Sequence, residues 1–241
     1  MSENALERAA EWLRTSRRTV ALTGAGMSTE SGLPDFRSKD GWWRKLDPHA
    51  VANVDTLEDN YELFRDFYRY RIETLAKHAP HEGHRVLARW ERAGLLQAIA
   101  TQNVDGFHQA AGSERVAELH GSLRSARCHG CGRPAETAAF AGGAACASCG
   151  GRLRPNVVLF GETLPERAWR EALGWFREAE LVLVIGTSLQ VAPASALPQY
   201  TDGRTVYLNM EIGGAAERFD LAIAGRAGEL LQALDRMVTP G

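Results

Sequence analysis

The chain has 241 residues, 44% hydrophobic and 24% charged, with a formal net charge of -2. That composition excludes a disordered or fibrous chain and suits one sizeable core with a small added module. The near-neutral balance supplies no overall basic field, so neither nucleic acid nor a membrane surface is indicated as a partner.

Residues 1–18 set Glu3, Glu7 and Glu11 among Ala and Leu. This is the pattern of an amphipathic surface helix, with neither the apolar core of a signal peptide nor the acid-poor pattern of a transit segment. No run approaches the ~20 apolar residues needed to cross a bilayer, and the expected location is cytoplasmic. Apolar, β-branched runs follow at 18–23, 96–101, 181–185, 206–208 and 221–223, spaced widely enough for helices between them. Near-continuous apolarity, as in Leu-Val-Leu-Val-Ile at 181–185, marks strands buried on both sides. The predicted fold class is therefore α/β, a Rossmann-like parallel sheet with helices on both faces.

Two stretches break the alternation. Residues 35–80 are rich in aromatics and helix formers, and residues 122–155 hold the cysteines amid Gly and Ala. Both read as insertions, helical at 35–80 and a zinc ribbon at 122–155, that build a small domain. The sheet domain is then discontinuous, at 1–34, 81–121 and 156–241. Within the ribbon, the Ala/Gly-rich 135–147 is expected to be a loop. A ligand is expected between the domains, outside the carboxyl ends of the strands.

The first strand runs into Thr23-Gly24-Ala25-Gly26-Met27-Ser28. Glycine lets backbone approach a pyrophosphate, and N–H groups at a helix start, with the Ser28 hydroxyl, can donate to its oxygens. A full G-x-G-x-x-G would need glycine where Thr29 stands, so a plain tight turn is the competing reading. After the second strand, Thr101-Gln102-Asn103-Val104-Asp105-Gly106 places amides and a carboxylate where a polar cofactor group could bind. His120, before Gly121, could act as a base near neutral pH or could simply be a hydrogen-bonded structural histidine. Gly186-Thr187-Ser188 and Asn209-Met210-Glu211 follow later strands and suit phosphate or ribose contacts.

All four cysteines form two knuckles, Cys128-x2-Cys131 and Cys146-x2-Cys149, whose turns can deliver four thiolates to one zinc ion. Four thiolates leave no open position for water or substrate, so the metal is expected to be structural. His129, inside a knuckle, reads as a bystander.

Taken in order, Gly24–Ser38, Thr101–His108, Glu118–Ser122, the paired C-x2-C, Asn156–Glu162, Gly186–Val191 and Asn209–Glu211 resemble the sirtuin family over nearly the whole chain. The resemblance implies an enzyme that consumes NAD to remove acyl groups from lysine in protein or peptide substrates. The acyl carbonyl oxygen attacks the ribose carbon bearing nicotinamide, and the products are lysine, nicotinamide and O-acyl-ADP-ribose. By motif, it makes His120 the base that activates a ribose hydroxyl and Asn103 its catalytic companion, which orients ribose or water. Gly24, Ala25, Gly26, Ser28, Asp35, Phe36 and Arg37 become the cofactor loop. Gln102, Val104 and Asp105 line the nicotinamide and ribose pocket, and Gly186, Thr187, Ser188, Asn209 and Glu211 hold phosphates and adenosine ribose. Val157, Phe160, Gly161, Glu162 and Val191 mark the edges between which a peptide is held by strand-like pairing.

Tyr68 and Arg71 stand three apart and so share a helix face. With the Trp-rich 41–45 upstream and Pro80-x2-Gly83-His84 downstream, they resemble the class III sirtuins, whose Tyr and Arg read succinyl- or malonyl-lysine. A guanidinium suits bidentate capture of a carboxylate. Asp35 in place of threonine and Thr29 in place of alanine depart from that pattern. A plain deacetylase, a protein mono-ADP-ribosyltransferase and a non-enzymatic zinc-ribbon binding module are the rivals. The last has little support, because Arg124, Arg127, Arg133, Arg152 and Arg154 are few and lack interleaved aromatics.

Overall fold

The computed structural model describes residues 2–34 and 48–238. A parallel sheet is built from β1 (Thr19–Thr23), β2 (Ala98–Thr101), β3 (Val116–Glu118), β7 (Leu181–Ile185), β8 (Arg204–Asn209) and β9 (Leu221–Ala224), in the spatial order β3-β2-β1-β7-β8-β9. The chain builds outward from β1 in one direction, then returns to add β7 on its other side. That reversal is a topological switch point, where the connections leave β1 and β7 on opposite faces and open a crevice.

The helices cover both faces, and the strands explain why. On β1, Ala21 packs into one core with α1 (Ser2–Thr15), α5 (Glu82–Arg92) and α9 (Ala227–Val238), through Leu13, Val86, Leu87, Trp90, Leu231 and Leu234. Val20 and Leu22 point the other way, into a core with Ala172 and Phe176 of α8 (Glu166–Arg177) and Leu197. A strand buried on both sides cannot alternate in polarity, which is why 181–185 is apolar throughout.

A second, three-stranded sheet, β5-β4-β6, is formed by β4 (Gly121–Cys128), β5 (Pro134–Ala135) and β6 (Leu153–Val157). With α3 (Val54–Asp59) and α4 (Tyr61–Leu75) it shares a third core, where Leu57, Phe64 and Tyr68 meet Leu123, Leu153 and Leu159, and α2 (Pro48–Val51) packs against α4. The helical and cysteine-bearing stretches therefore bury one another's apolar faces. The short helix α6 (Phe107–Ala110) follows the Asp105 turn and sends Phe107 into this core.

Two expectations need correction. The 135–147 stretch is not all loop, because it contains α7 (Thr137–Ala141), pinned by the fully buried Phe140. β3 was not foreseen; it is short, and only Ala117 of its three residues is fully buried.

Candidate active site

The loops leaving β1 and β7 interlock at the switch point. Gly24 N–H donates to Ile185 O at 3.0 Å and Gly26 N–H to Gly186 O at 2.8 Å. A Cβ on Gly24 would stand 2.6 Å from Thr187 Cβ, and one on Gly26 2.9 Å from Gly186 Cα. Gly186 itself has φ +61, and a Cβ there would lie 2.3 Å from Met27 N. These glycines are demanded by backbone packing on backbone, whatever else they approach.

Ser28, in the 3₁₀ turn Ala25–Ser31, is buried and donates its hydroxyl to Asp105 Oδ2 at 2.7 Å. Asn103 Nδ2 donates to Gly24 O at 3.0 Å and to Ser28 Oγ at 3.2 Å. The Ser28 proton expected to face a pyrophosphate is therefore committed to Asp105. Phe107 N–H donates to Asp105 Oδ1 at 2.9 Å, and Arg124 Nε holds the Asp105 carbonyl at 2.6 Å. Burial pushes the Asp105 carboxyl up, against these donors. Gln102 Nε2 crosses the cleft floor to Thr187 Oγ1 at 2.9 Å, and Asn209 Nδ2 donates to Tyr207 OH at 2.9 Å and Glu211 O at 2.7 Å.

His120 lies between β3 and β4. Its Nδ1 is 3.0 Å from the Gln102 carbonyl, which can only accept, so in the neutral ring Nδ1 carries the proton and Nε2 keeps the lone pair. Burial pulls its pKa below the ordinary imidazole value, with the Gln102 bond opposing. The His120 carbonyl in turn accepts Val158 N–H at 2.9 Å, which ties the 157–162 segment to the histidine.

Tyr68 is buried, and its ring lies 5.6 Å from the guanidinium of the half-buried Arg71. Both line the same cleft of about 1080 Å³ as Gly24, Ala25, Gly26, Ser28, Gln102, Asn103, Val104, Asp105, His120, Val157, Phe160, Gly161, Glu162, Gly186, Thr187, Ser188, Val191, Asn209 and Glu211. Every site residue expected from the sequence that falls within the described residues is thus gathered in one place, apart from the cysteines. Asp35, Phe36 and Arg37 lie outside the described residues.

The cysteines form their own cluster, their Sγ atoms all within 4.8 Å of one another. Cys128 and Cys149 are 3.5 Å apart and Cys131 and Cys146 3.8 Å. Tetrahedral zinc with bonds of about 2.3 Å sets its sulfurs roughly 3.8 Å apart, so the four thiolates fit a closed zinc site. His129 turns instead toward Glu58, at 3.4 Å.

Arg154, one of the five arginines near the knuckles, is fully buried and paired with Glu162. Strand alternation gives no hint of this, since its neighbour on the same face, Asn156, is exposed. Arg124 and Arg152 are exposed, but Arg124 Nε donates to Asp105 O at 2.6 Å and Arg152 Nη1 to Leu57 O at 3.0 Å. Of the basic set near the knuckles, only Arg154 is buried, and Arg124, Arg133 and Arg152 are exposed while bonded to neighbouring groups.

A switch-point cleft that gathers glycine loops, amides, a buried carboxylate and a histidine whose Nε2 keeps its lone pair is the arrangement of a dinucleotide-using enzyme. The Sir2 family model matches residues 24–193, and the chain belongs to that family, the sirtuins. It is 50% identical over 232 residues to NAD-dependent protein deacetylase 1 of Geobacillus kaustophilus, covering 94% of this chain and 96% of that one. It is 41% identical over 229 residues to the NAD-dependent protein deacylase of Aeropyrum pernix, covering 93% and 94%. Among solved structures, a Sir2 homologue in complex with NAD superposes with a TM-score of 0.90 at 37% identity, covering 96% and 93%. A Sir2 protein with a deacetylated peptide and 3′-O-acetyl-ADP-ribose gives 0.91 at 33% identity, covering 97% and 99%.

Proposed function

We propose that this chain removes acyl groups, both acetyl and the acidic succinyl and malonyl groups, from protein lysine in an NAD-consuming reaction. As a sirtuin matched along its length by such enzymes, it is an NAD-dependent protein deacetylase or deacylase. The finer reading is carried by one observation: Tyr68 and Arg71 line the same cleft as His120 and Asp105.

In this reading NAD lies across the switch point, with its phosphates at the 24–28 and 186–188 loops and its nicotinamide end toward Asn103 and Asp105. His120 Nε2 accepts the proton of a ribose hydroxyl. Gln102 O fixes the imidazole in the tautomer that can do so. An acyl-lysine peptide lies along 157–162 and Val191 and feeds its acyl end toward Tyr68 and Arg71. There the guanidinium supplies two N–H donors to a terminal carboxylate and the phenol a third. The zinc, held by Cys128, Cys131, Cys146 and Cys149, supports the β4–β6 sheet and takes no part in the chemistry, since four thiolates leave no open position.

The test compares acetyl-, succinyl- and malonyl-lysine peptides on wild type and Arg71→Met, with products identified by mass spectrometry. Losing a hydrogen bond to a charged group costs about 1.5–3 kcal/mol, so succinyl and malonyl turnover should fall about 10- to 100-fold while acetyl turnover is kept. Absent succinyl activity, or activity untouched by the substitution, defeats the carboxylate-reading pocket. An ADP-ribosylated protein in place of free lysine would point to transferase chemistry.

A further inference from the structure

Arg154 follows Leu153, which pairs in register with Cys128, and its side chain is 0% exposed. Nη1 and Nη2 grip the two Glu162 oxygens at 2.6 and 2.9 Å, and Nη2 also donates to Val157 O at 2.7 Å. Glu162 Oε2 accepts Leu159 N–H at 2.8 Å, and Arg127 stands 3.8 Å from Oε1. An end-on guanidinium–carboxylate pair has a fixed geometry, and here it closes the 157–162 segment at the Val157 carbonyl, the Leu159 amide and the Glu162 carboxylate.

The closure determines what the segment can present. Val158 N–H goes to His120 O, Phe160 N–H to Ala52 O and Glu162 N–H to Leu159 O. With Leu159 N–H on Glu162, the amides of Val158, Leu159, Phe160 and Glu162 are all committed, which leaves the segment's remaining backbone groups to meet an extended peptide. Those groups point where the ion pair sets them.

Buried ion pairs add little to stability, because well-packed apolar residues of like volume are often as good or better. We propose that Arg154 and Glu162 are positioning residues for the acyl-lysine peptide, holding the 157–162 turn as a preformed docking edge beside His120. The proposal rests on the reading of this cleft as an acyl-lysine site. The loops assigned to NAD are locked by their own backbone bonds at Gly24, Gly26 and Gly186, so loss of the pair should act on the peptide and spare the cofactor.

The test uses Glu162→Gln and the double variant Arg154→Met with Glu162→Met, which trades the pair for apolar volume. Peptide kinetics at saturating NAD, NAD binding by calorimetry and thermal melts are measured on each. Both variants should raise the peptide KM about tenfold or more and leave NAD affinity within about twofold. If the double variant melts like wild type and keeps the wild-type peptide KM, the proposal is wrong. Equal losses in NAD affinity and peptide KM would show a merely structural role and also overturn it. Should the double variant not fold, Arg154→Lys, which replaces the fork with a single ammonium, is judged by the same split. A wild type inactive on every acyl-lysine peptide overturns the reading of the cleft and this proposal together, whereas an active wild type beside an unaffected double variant overturns this proposal alone.

Discussion

Ser28 and Asp105 meet across the cleft floor, with Oγ donating to Oδ2 at 2.7 Å while Asp105 Oδ1 takes the Phe107 N–H at 2.9 Å. Burial works against the Asp105 charge, and these donors work for it. Ser28→Ala removes one of them. A bond to a charged group contributes about 1.5–3 kcal/mol, so kcat/KM for NAD should drop about 10- to 100-fold with the peptide KM little changed. Unaltered NAD kinetics in the variant would refute the idea that this bond keeps the carboxylate ready.

The base assigned to His120 makes a pH prediction with a definite sign. On that assignment the neutral ring is the active form, and burial holds its pKa below the usual value. Activity is therefore full above that lowered pKa and is lost as pH falls through it. The acid limb of kcat/KM should lie below the ~6.5 of a free imidazole. His120→Ala should cost about 10²- to 10⁴-fold in kcat. A limb centred above neutrality, or a mild effect of the alanine, would remove His120 from the role.

Gly186 and Gly94 form a controlled pair for testing the loop interlock. Both have left-handed backbone, φ +61 and +76, but a Cβ at 186 meets Met27 N at 2.3 Å whereas one at 94 meets nothing within 4 Å. Gly94→Ala carries the conformational cost alone, about 1–3 kcal/mol. Gly186→Ala adds the overlap, so its urea midpoint should fall further and NAD binding should weaken with it. Equal losses at the two positions would mean that the loops are not packed as described.

Metal analysis should find one zinc per chain, and a value well below that would overturn the closed tetrathiolate site. Cys146→Ser should lower the melting temperature and loosen β4 against β6, because Leu153 pairs with Cys128 in that sheet. Structural zinc contributes directly to folding. Peptide affinity should weaken before NAD affinity, since β6 carries Arg154.

Three histidines, His81 and His84 close in sequence and His108 distant from both, cluster against the turn that holds Met27, with ring centroids 4.5 Å apart for His81 and His84 and 5.0 Å for His84 and His108. Burial depresses His84 strongly and takes His108 down to about 3. Both stay neutral when folded and can take a proton when unfolded. Stability is thus complete above about pH 6.5 and falls with pH below it, by up to about 1.4 kcal/mol per pH unit for each histidine. Urea unfolding at about pH 7.5 and about pH 5.5 measures this, and His84→Leu should flatten the dependence. An unchanged slope in that variant would acquit His84.

The long central strands were legible because burial on both faces leaves an apolar run that no loop would carry, as at Leu181–Ile185. The cleft was legible for a related reason, since glycines, amides and a carboxylate directly after such strands have few other uses. What escaped notice depends on partners that meet only in three dimensions. The pairing of Arg154 with Glu162, the turning of Ser28 toward Asp105 and the histidine cluster are contacts that no local period records. The helix at Thr137–Ala141 was hidden because Ala and Gly mask periodicity, and only Phe140 marks its inner side.

The bonds from Gly24 to Ile185 and from Gly26 to Gly186 also say when the site comes into being. They join segments separated by more than half the chain, and each supplies the steric wall against which the other is shaped. A nascent chain that has formed β1, β2 and β3 has the amides and the histidine but no floor beneath them. Cofactor affinity should accordingly emerge in a single late step during synthesis, when β7 docks, and a fragment ending before it should bind no dinucleotide at all.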